Sequence, residues 1–289
     1  MTTLTKSSAH TVTEKPAGRA RPGAPSAASP RRLARRAIVP VALIVIWIVV
    51  SELRLVEAVY VPSPQDLWNA LVGLSGQLPA AFASSVSMTL LGFVIGVTIG
   101  VGSGLLMAYS VLARDLLSDL LSIIRPVPVF ALIPLFALWF GIGPMPQVAL
   151  IALGTSVVLG VTTLDAIRNV SPVHIKAALT LGANRGAIYR SVIIPSVLPH
   201  LLGSIRVAAA ASWGLDVAAE FLGAQEGLGY MMIVRQQYLD TAGIVLICII
   251  YSLLALILDF LLRLAERPLT RWTERSNRSG PVAGLVGNV

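Results

Sequence analysis

Six apolar stretches separated by short polar segments constrain the fold of this chain more than any other feature. A helix of about 20 apolar residues crosses a bilayer, and helical backbone satisfies its own polar groups within hydrocarbon. We therefore predict an all-α membrane protein with six transmembrane helices. They lie at about 37–50, 82–109, 117–140, 145–165, 197–217 and 243–264.

The overall composition agrees with this prediction. Of the 289 residues, 55% are hydrophobic and only 12% are charged. An average soluble domain carries about 25% charged residues, so a soluble protein is excluded. The single cysteine, Cys248, excludes a disulfide framework within the chain.

The two ends of the chain differ from its apolar middle. Residues 1–36 are rich in Ser, Thr, Ala, Pro and Arg, which predicts a disordered basic tail. Because the first apolar run is short, we predict a retained helix from about Leu33 to Leu53 whose arginines reach the headgroups. The alternative, a cleaved signal peptide, lacks a small-residue cleavage site after the run. Residues 37–270 then form a transmembrane domain, and residues 271–289 form a second tail.

Basic residues concentrate in every second segment outside the spans. The N-terminal tail holds eight Lys and Arg against one acid, and the segment 165–190 holds four against one. The intervening segments 51–77 and 216–240 carry more acids than bases. The positive-inside rule therefore predicts a multi-pass protein of the plasma or inner membrane with both termini in the cytoplasm. This distribution explains the net charge of +8 without a nucleic-acid partner.

Two local patterns predict structural roles. Ser63-Pro64 followed by apolar residues at helical spacing predicts a short amphipathic helix between the first two spans. In the second span, glycines recur every four residues, which lets another helix approach closely. They are Gly92, Gly96, Gly100 and Gly104.

The basic cytoplasmic segment 171–195 predicts a docking element. We expect a short helix over 172–181 that ends at Gly182, where a positive φ is often needed. A second helix would run from about Ala183 to Pro195. The small residues Ala177 and Ala178 would let the surface of a partner come close.

Three prolines fall within the third span, at Pro126, Pro128 and Pro134. Each removes a backbone donor and predicts a bend or a break in the helix. Broken backbone at membrane depth is tolerated where protein or water covers it. The bent helix either lines a translocation pathway or is a packing kink, and the sequence favours neither.

Ionisable residues inside apolar spans are functional candidates because burying charge in a membrane is costly. Arg206 lies several residues inside the fifth span, unless that span begins later than predicted. Asp216 and Glu220 lie near the far end of the same span, facing either a pathway mouth or solvent. Asp259, in the last span, is expected near the cytoplasmic interface.

Catalytic and nucleotide-binding motifs are missing from the sequence. It contains no H-E-x-x-H, no G-x-S-x-G and no phosphate-cradling loop, and its three histidines lack metal-ligand spacing. We therefore predict a non-enzymatic chain without a metal or cofactor. Any ATP would be bound by a separate partner.

The cytoplasmic segment resembles the signature of permease subunits of binding-protein-dependent ABC importers. That signature is Glu-Ala-Ala, three residues, Gly, nine residues and Ile-x-Leu-Pro. Here Lys176-Ala177-Ala178, Gly182 and Val192-Ile193-Ile194-Pro195 stand at the same spacing. Lys176 replaces the glutamate, which puts in doubt any contact made through that carboxylate.

Three further segments resemble the nitrate, taurine and alkanesulfonate branch of these permeases, and the resemblance covers about residues 37–270. The segments read VPSPQDLWNAL, RPVPVFALIPLFALWFGIGP and AAEFLGAQEGLGYMM. The resemblance implies the type I ABC importer permease fold and a small anionic substrate such as an alkanesulfonate, taurine or nitrate.

The same resemblance implies a set of partners. Two permease copies, preferably a homodimer, would form the pathway above two ATP-binding subunits, and an extracytoplasmic binding protein would deliver substrate. A coupling helix would dock on each ATPase through Lys176, Ala177, Ala178, Gly182 and Arg185. The alternatives are an ion-gradient-driven secondary transporter, a membrane enzyme and a structural scaffold. A secondary transporter usually carries paired intramembrane ionisable groups and internal repeats, which the sequence does not show.

Overall fold

A computed structural model describes the backbone of residues 30–270 and the side chains of residues 38–270. Within this part of the chain every regular element is a helix. The α-helices are α1 Pro30–Glu52, α2 Pro64–Leu74, α3 Leu78–Tyr109, α4 Val111–Ile124, α5 Ile133–Phe140, α6 Pro144–Arg168, α7 Pro172–Thr180, α8 Arg185–Ile188, α9 Ile194–Gly223, α10 Leu228–Gln237 and α11 Thr241–Leu269. A 3-10 turn, Val129–Leu132, precedes α5, and a π-helical turn, Tyr189–Ile193, joins α8 to α9.

Most of the predicted spans are long enough to cross a membrane. Within residues 38–270, four helices meet this condition, and there are five if the bent pair Val111–Ile124 with Val129–Phe140 is counted as one span. The apolar part of α1, Ile38–Glu52, is shorter, so the first crossing stays a prediction.

The helix α1 begins earlier than predicted. It starts at Pro30 rather than at about Leu33, so it includes residues 30–36 of the predicted tail. The remaining tail, residues 1–29, and the C-terminal tail, residues 271–289, lie outside the described residues. Their predicted disorder and cytoplasmic location stay predictions.

The predicted helix between the first two spans is confirmed as α2, with a reciprocal cap at its start. The backbone N–H of Asp66 donates to the Ser63 hydroxyl at 3.2 Å, and the Ser63 N–H donates to the Asp66 carboxylate at 2.9 Å. Two otherwise unpaired donors of the first turn are thereby satisfied.

The helices α3 and α6 pack in close contact along the glycine stripe. A Cβ added to Gly96 would lie 2.5 Å from the Thr155 Cβ and 2.8 Å from the Ala152 carbonyl oxygen. Gly92 and Gly100 are equally crowded, against Ile151 and Ser156. The stripe therefore has the packing role that its spacing predicted.

Buried apolar residues surround this contact and extend to α2, α5, α9, α10 and α11. Leu150, Ile151 and Leu159 of α6 are at most 1% exposed and pack with residues of α3, α5 and α9. A second cluster joins α2, α9, α10 and α11 around Ile247, which is 0% exposed. These two clusters fix the positions of the helix ends that carry the sites described below.

The third predicted span is broken, as its prolines predicted. The two halves meet at 88° between Ile124 and Val129. Pro126 and Pro128 lie at this break, whereas Pro134 occupies the first turn of α5, where a missing N–H costs nothing. Pro134 therefore does not contribute to the bend.

The fifth span begins earlier than predicted, and the expected helix end at Pro195 is wrong. The second cytoplasmic helix does not end at Pro195, because a continuous helix runs from Arg185 to Gly223. The π turn allows this: the Ile194 N–H bonds to the Tyr189 carbonyl, and the wider turn tolerates the missing donor of Pro195. Arg206 thus lies well inside the helix, as predicted, and the alternative of a later start is wrong.

Candidate functional site

The helix α7 stands at the end of the bundle where α6 ends and α8 begins. None of its residues is buried within the chain. Apolar side chains are exposed here, with Val173 at 68%, Leu179 at 56% and Leu181 at 87%. An exposed apolar surface of this kind next to a membrane domain is typical of a contact with another protein.

Gly182 ends α7 in the geometry that its sequence position predicted. Its φ is +79°, and its N–H donates to the Leu179 carbonyl at 2.9 Å. The N–H of Ala183 donates to the Ala178 carbonyl at 3.0 Å. This pair of bonds is the Schellman motif, which needs a left-handed residue at the position of Gly182. The turn reverses the chain and leaves nothing within 4 Å of a Cβ at Gly182.

Arg185 holds the start of α8 against the end of α3. Its guanidinium donates to the Tyr109 carbonyl and lies 5.1 Å from the centre of the Tyr109 ring. The Tyr189 hydroxyl donates to the Leu105 carbonyl at 2.5 Å, and the Tyr189 ring meets the Tyr109 ring edge-on. The predicted docking role of Arg185 stays a prediction, but part of its bonding capacity is used inside the chain.

The other predicted docking residues are accessible. Lys176 and Ala177 are exposed on α7, and Ala178 is half-buried. Together with Gly182 and Arg185 they lie within one short stretch of surface. The structure thus brings the predicted docking residues together, and their contact with an ATPase stays a prediction.

Arg206 is not an isolated cation. Its Nε donates to the Asp259 carboxylate of α11 at 2.8 Å, and its Nη1 lies 3.5 Å from Glu266. Asp259 also pairs with Arg263 at 2.7 Å. Two cations and two anions therefore neutralise each other between α9 and α11. Because its charge is balanced, Arg206 is a weaker candidate for binding an anion in a pathway.

Glu220 is buried, which contradicts the expectation that it could face solvent. Asp216 and Glu220 are 0% and 1% exposed and lie together on one face of α9. The Glu220 carboxylate accepts hydrogen bonds from Ser85 at 2.7 Å and from Gln147 at 3.1 Å. Gln147 also donates to Asp216. The Tyr251 oxygen lies 3.0 Å from Asp216 and 3.3 Å from Glu220.

This cluster also holds the beginning of α10. The N–H of Gly229 donates to Glu220 at 2.5 Å, and the N–H of Leu228 donates to the Ser85 hydroxyl at 2.8 Å. Gly227, with a φ of +115°, has no room for a side chain, because a Cβ there would collide with the Glu220 carboxylate. We call Ser85, Gln147, Asp216, Glu220 and Tyr251 the carboxylate cluster. It lies at the end of the helices opposite to α7.

Sequence reasoning named Glu220 but did not find the cluster around it. The four-residue spacing of Asp216 and Glu220 places both on one helix face, and Gly227 and Gly229 follow closely, which is the only local signal. Within residues 38–270, no three His, Cys, Asp or Glu side chains form a group that could hold a metal ion.

The apolar helices and the exposed turn after α7 together define a class, namely helical membrane proteins with an exposed segment between two spans. The family model described as "Binding-protein-dependent transport system inner membrane component" matches residues 92–271. This is more than half of the chain. The chain belongs to this family, the inner-membrane permease subunits of ABC importers, and is a transport subunit.

Curated relatives extend the match over most of the chain. The taurine transport system permease protein TauC of Escherichia coli (strain K12) is 31% identical over 239 residues, which are 80% of this chain and 86% of TauC. SsuC of Bacillus subtilis (strain 168), whose name assigns it to aliphatic sulfonates transport, is 32% identical over 272 residues, 93% of this chain and 95% of SsuC. The formylaminopyrimidine transport permease protein ThiX of Halalkalibacterium halodurans is 28% identical over 237 residues, 81% of this chain and 93% of ThiX.

Solved structures support the fold. A chain of the MetNI methionine ABC transporter in an inward-facing conformation superimposes with a TM-score of 0.52 at 21% identity, covering 67% of this chain and 94% of that chain. An amino acid ABC transporter gives 0.51 at 24% identity, covering 68% and 92%. These neighbours show the predicted type I ABC importer permease fold.

Proposed function

We propose that this chain lines the translocation pathway of an ABC importer and couples to a separate ATP-binding subunit through α7 and Gly182. The observation that carries the coupling is the unburied helix α7, which ends in a Schellman turn beside exposed apolar residues. ATP hydrolysis belongs to the partner subunit. Closure of two such subunits would move α7 and thereby the attached span.

The full assembly follows from the class of transporter. A second copy of this chain completes the pathway, two ATP-binding subunits bind below, and both termini are cytoplasmic. The end of the bundle opposite to α7, which includes α10, faces an extracytoplasmic substrate-binding protein. The family match gives no support to an ion-gradient-driven secondary transporter.

The substrate we propose is a small anion of the sulfonate type, such as taurine or an alkanesulfonate. TauC and SsuC, which are named for such substrates, support this choice. Their sequences match about four fifths or more of this chain. ThiX, which is named for a different substrate, matches a similar share. The substrate is therefore best tested on the binding protein that associates with this chain.

The docking role is tested by changing Gly182. Alanine in the left-handed conformation costs about 1–2 kcal/mol, which lowers the population of the native turn by a factor of roughly 5–30. Asparagine tolerates this conformation better. We expect Gly182→Ala to weaken binding of the ATP-binding subunit, measured by titration on the permease in nanodiscs, by about that factor, and Gly182→Asn to weaken it less.

Gly186→Ala is the matched control. It adds the same methyl group to the same exposed stretch, where the nearest atom to the new Cβ is the Asn184 Oδ1 at 3.6 Å and φ is not positive. It should bind like the unchanged protein. Equal binding of the ATP-binding subunit by the unchanged protein and by all three variants would rule out the docking role of the turn. Failure of the unchanged permease to retain any ATP-binding subunit in mild detergent would rule out the proposed function itself.

A further inference from the structure

The carboxylate cluster places two buried acids close together without a compensating cation. Within the described part of the chain, no Lys, Arg or His bonds to Asp216 or Glu220, and both are at most 1% exposed. Two negative charges buried side by side are strongly unfavourable. We therefore expect one of the two acids to be protonated and the other charged. The hydrogen bonds indicate which acid holds the proton.

The hydrogen bonds favour a charged Glu220. Its carboxylate accepts from the Ser85 hydroxyl, a Gln147 amide hydrogen and the Gly229 N–H. Glu220 also faces the Tyr230 N–H, whereas Asp216 has the same Gln147 amide group, the Tyr251 hydroxyl and the Thr89 hydroxyl as its neighbours. A carboxylate surrounded by several donors is stabilised in its charged form. The larger number of donors therefore indicates that Glu220 is the charged acid of the pair.

Tyr251 completes a consistent arrangement of hydrogens. Its hydroxyl has one hydrogen and lies 3.0 Å from Asp216 Oδ2 and 3.3 Å from Glu220 Oε2. If Asp216 Oδ2 carries the proton, it donates to the tyrosine oxygen, and the tyrosine donates to Glu220. Gln147 then uses its two amide hydrogens for Asp216 Oδ1 and Glu220 Oε1. The hydrogens of Gln147, Tyr251 and the protonated Asp216 all have an acceptor in this arrangement.

The charged Glu220 caps the start of α10 from another helix. Gly227, at the N-cap position, supplies no side-chain cap. The first amides of α10 instead bond to side chains of other helices, Leu228 to Ser85 of α3 and Gly229 to Glu220 of α9. A negative charge at a helix N-terminus is favourable because the helix dipole is positive there.

We propose that Glu220 is a positioning residue that carries the negative charge of the cluster and fastens α10 to α9, while Asp216 holds the proton. Gly227 and Gly229 permit this contact, because a Cβ at Gly229 would already lie 3.0 Å from the Glu220 side chain. α10 then moves with α9 as one unit. The consequence for substrate delivery rests on the proposed function: a binding protein that touches α10 acts directly on a transmembrane helix of the pathway.

The isosteric variants Glu220→Gln and Asp216→Asn separate the two acids. We expect Asp216→Asn to be tolerated, because its amide donates to Tyr251 where the protonated acid did. Glu220→Gln removes the charge and presents an amide where only acceptors are needed, which breaks charge-assisted hydrogen bonds. Hydrogen exchange at the Gly229 amide, followed by mass spectrometry on the full-length protein in nanodiscs, should be about tenfold faster or more in Glu220→Gln and nearly unchanged in Asp216→Asn.

Ser85→Ala provides a second variant that keeps both acids. It removes the acceptor of the Leu228 amide, so exchange should accelerate at Leu228 more than at Gly229. The assignment is overturned if Asp216→Asn is the more damaging change, or if all three variants exchange like the unchanged protein.

An activity readout separates this inference from the proposed function. In the complex with its ATP-binding subunit, Glu220→Gln should keep basal ATP hydrolysis and lose most of the stimulation by binding protein. Basal hydrolysis that is lost together with stimulation would contradict a positioning role at this end of the helices. A permease that retains no ATP-binding subunit at all contradicts the proposed function, whereas the exchange results still decide the role of Glu220.

Discussion

Replacing Gly96 with alanine should weaken the packing of α3 against α6, because the new methyl group has no space. Its Cβ would lie 2.5 Å from the Thr155 Cβ and 2.8 Å from the Ala152 carbonyl oxygen. Carbon atoms in good contact are about 3.5–4.0 Å apart, so the helices must separate by roughly 1 Å. Overpacking of this kind costs about 1–3 kcal/mol. Alanine also stabilises a helix by about 0.5–1 kcal/mol relative to glycine, which offsets part of the loss.

Gly102→Ala is the control for the greater helix stability of alanine. Gly102 lies in the same helix, and nothing is within 4 Å of a Cβ there. The propensity gain is shared, so the difference between the two variants isolates the packing cost of about 1–3 kcal/mol. At roughly 2–4 °C per kcal/mol, the melting temperature of Gly96→Ala should lie about 2–12 °C below that of Gly102→Ala. Both are measured in detergent, by size-exclusion chromatography of samples heated to different temperatures. Equal melting temperatures would refute the close contact along the stripe.

Two further predictions concern pairs of polar residues. Arg206→Ala and Asp259→Ala, measured singly and together by thermal unfolding, should show a coupling energy of about 0.5–3 kcal/mol, and strictly additive effects would contradict the ion pair. The N–H and hydroxyl of Ser63 hold the pKa of Asp66 below its usual value. A lowered folded pKa gives stability above the unfolded pKa of about 3.9 that is lost as pH falls through the folded value. Exchange at the Asp66 amide, corrected for its intrinsic rate, should therefore accelerate below about pH 4. Ser63→Ala removes the hydroxyl but keeps the backbone N–H that bonds to the carboxylate, so it should weaken this pH dependence, and a profile unchanged by that substitution would count against the cap.

The sequence was sufficient for features that depend on neighbouring residues. Apolar runs predicted the long helices, the spacing of Gly96 and its companions predicted the α3–α6 contact, and Gly182 predicted the end of α7. Each of these follows from local patterns, namely hydropathy, a four-residue period and the conformational freedom of glycine. They needed no knowledge of which helices are neighbours in space.

Features that depend on distant residues were missed. Arg206 seemed isolated because its partner Asp259 is 53 residues away, and Ser85 is 135 residues from Glu220. Hydropathy alone predicts a span but not the neighbours of its polar side chains. The early start of the fifth span was missed for a different reason, since Pro195 usually ends a helix and the π turn before it does not follow from composition.

The continuous helix from Arg185 to Gly223 has a mechanical consequence. Arg185 lies beside the proposed contact with the ATP-binding subunit, and Glu220 holds α10 at the opposite end. The 35 steps along the helix from Arg185 to Glu220 span about 52 Å at 1.5 Å per residue. If this helix pivots at its Arg185 end, a tilt of about 6° displaces Glu220 by roughly 5 Å, about one helical turn. A small rotation at the proposed contact with the ATP-binding subunit would thus become a displacement of molecular size at the proposed site of substrate delivery, without any change of secondary structure between the two.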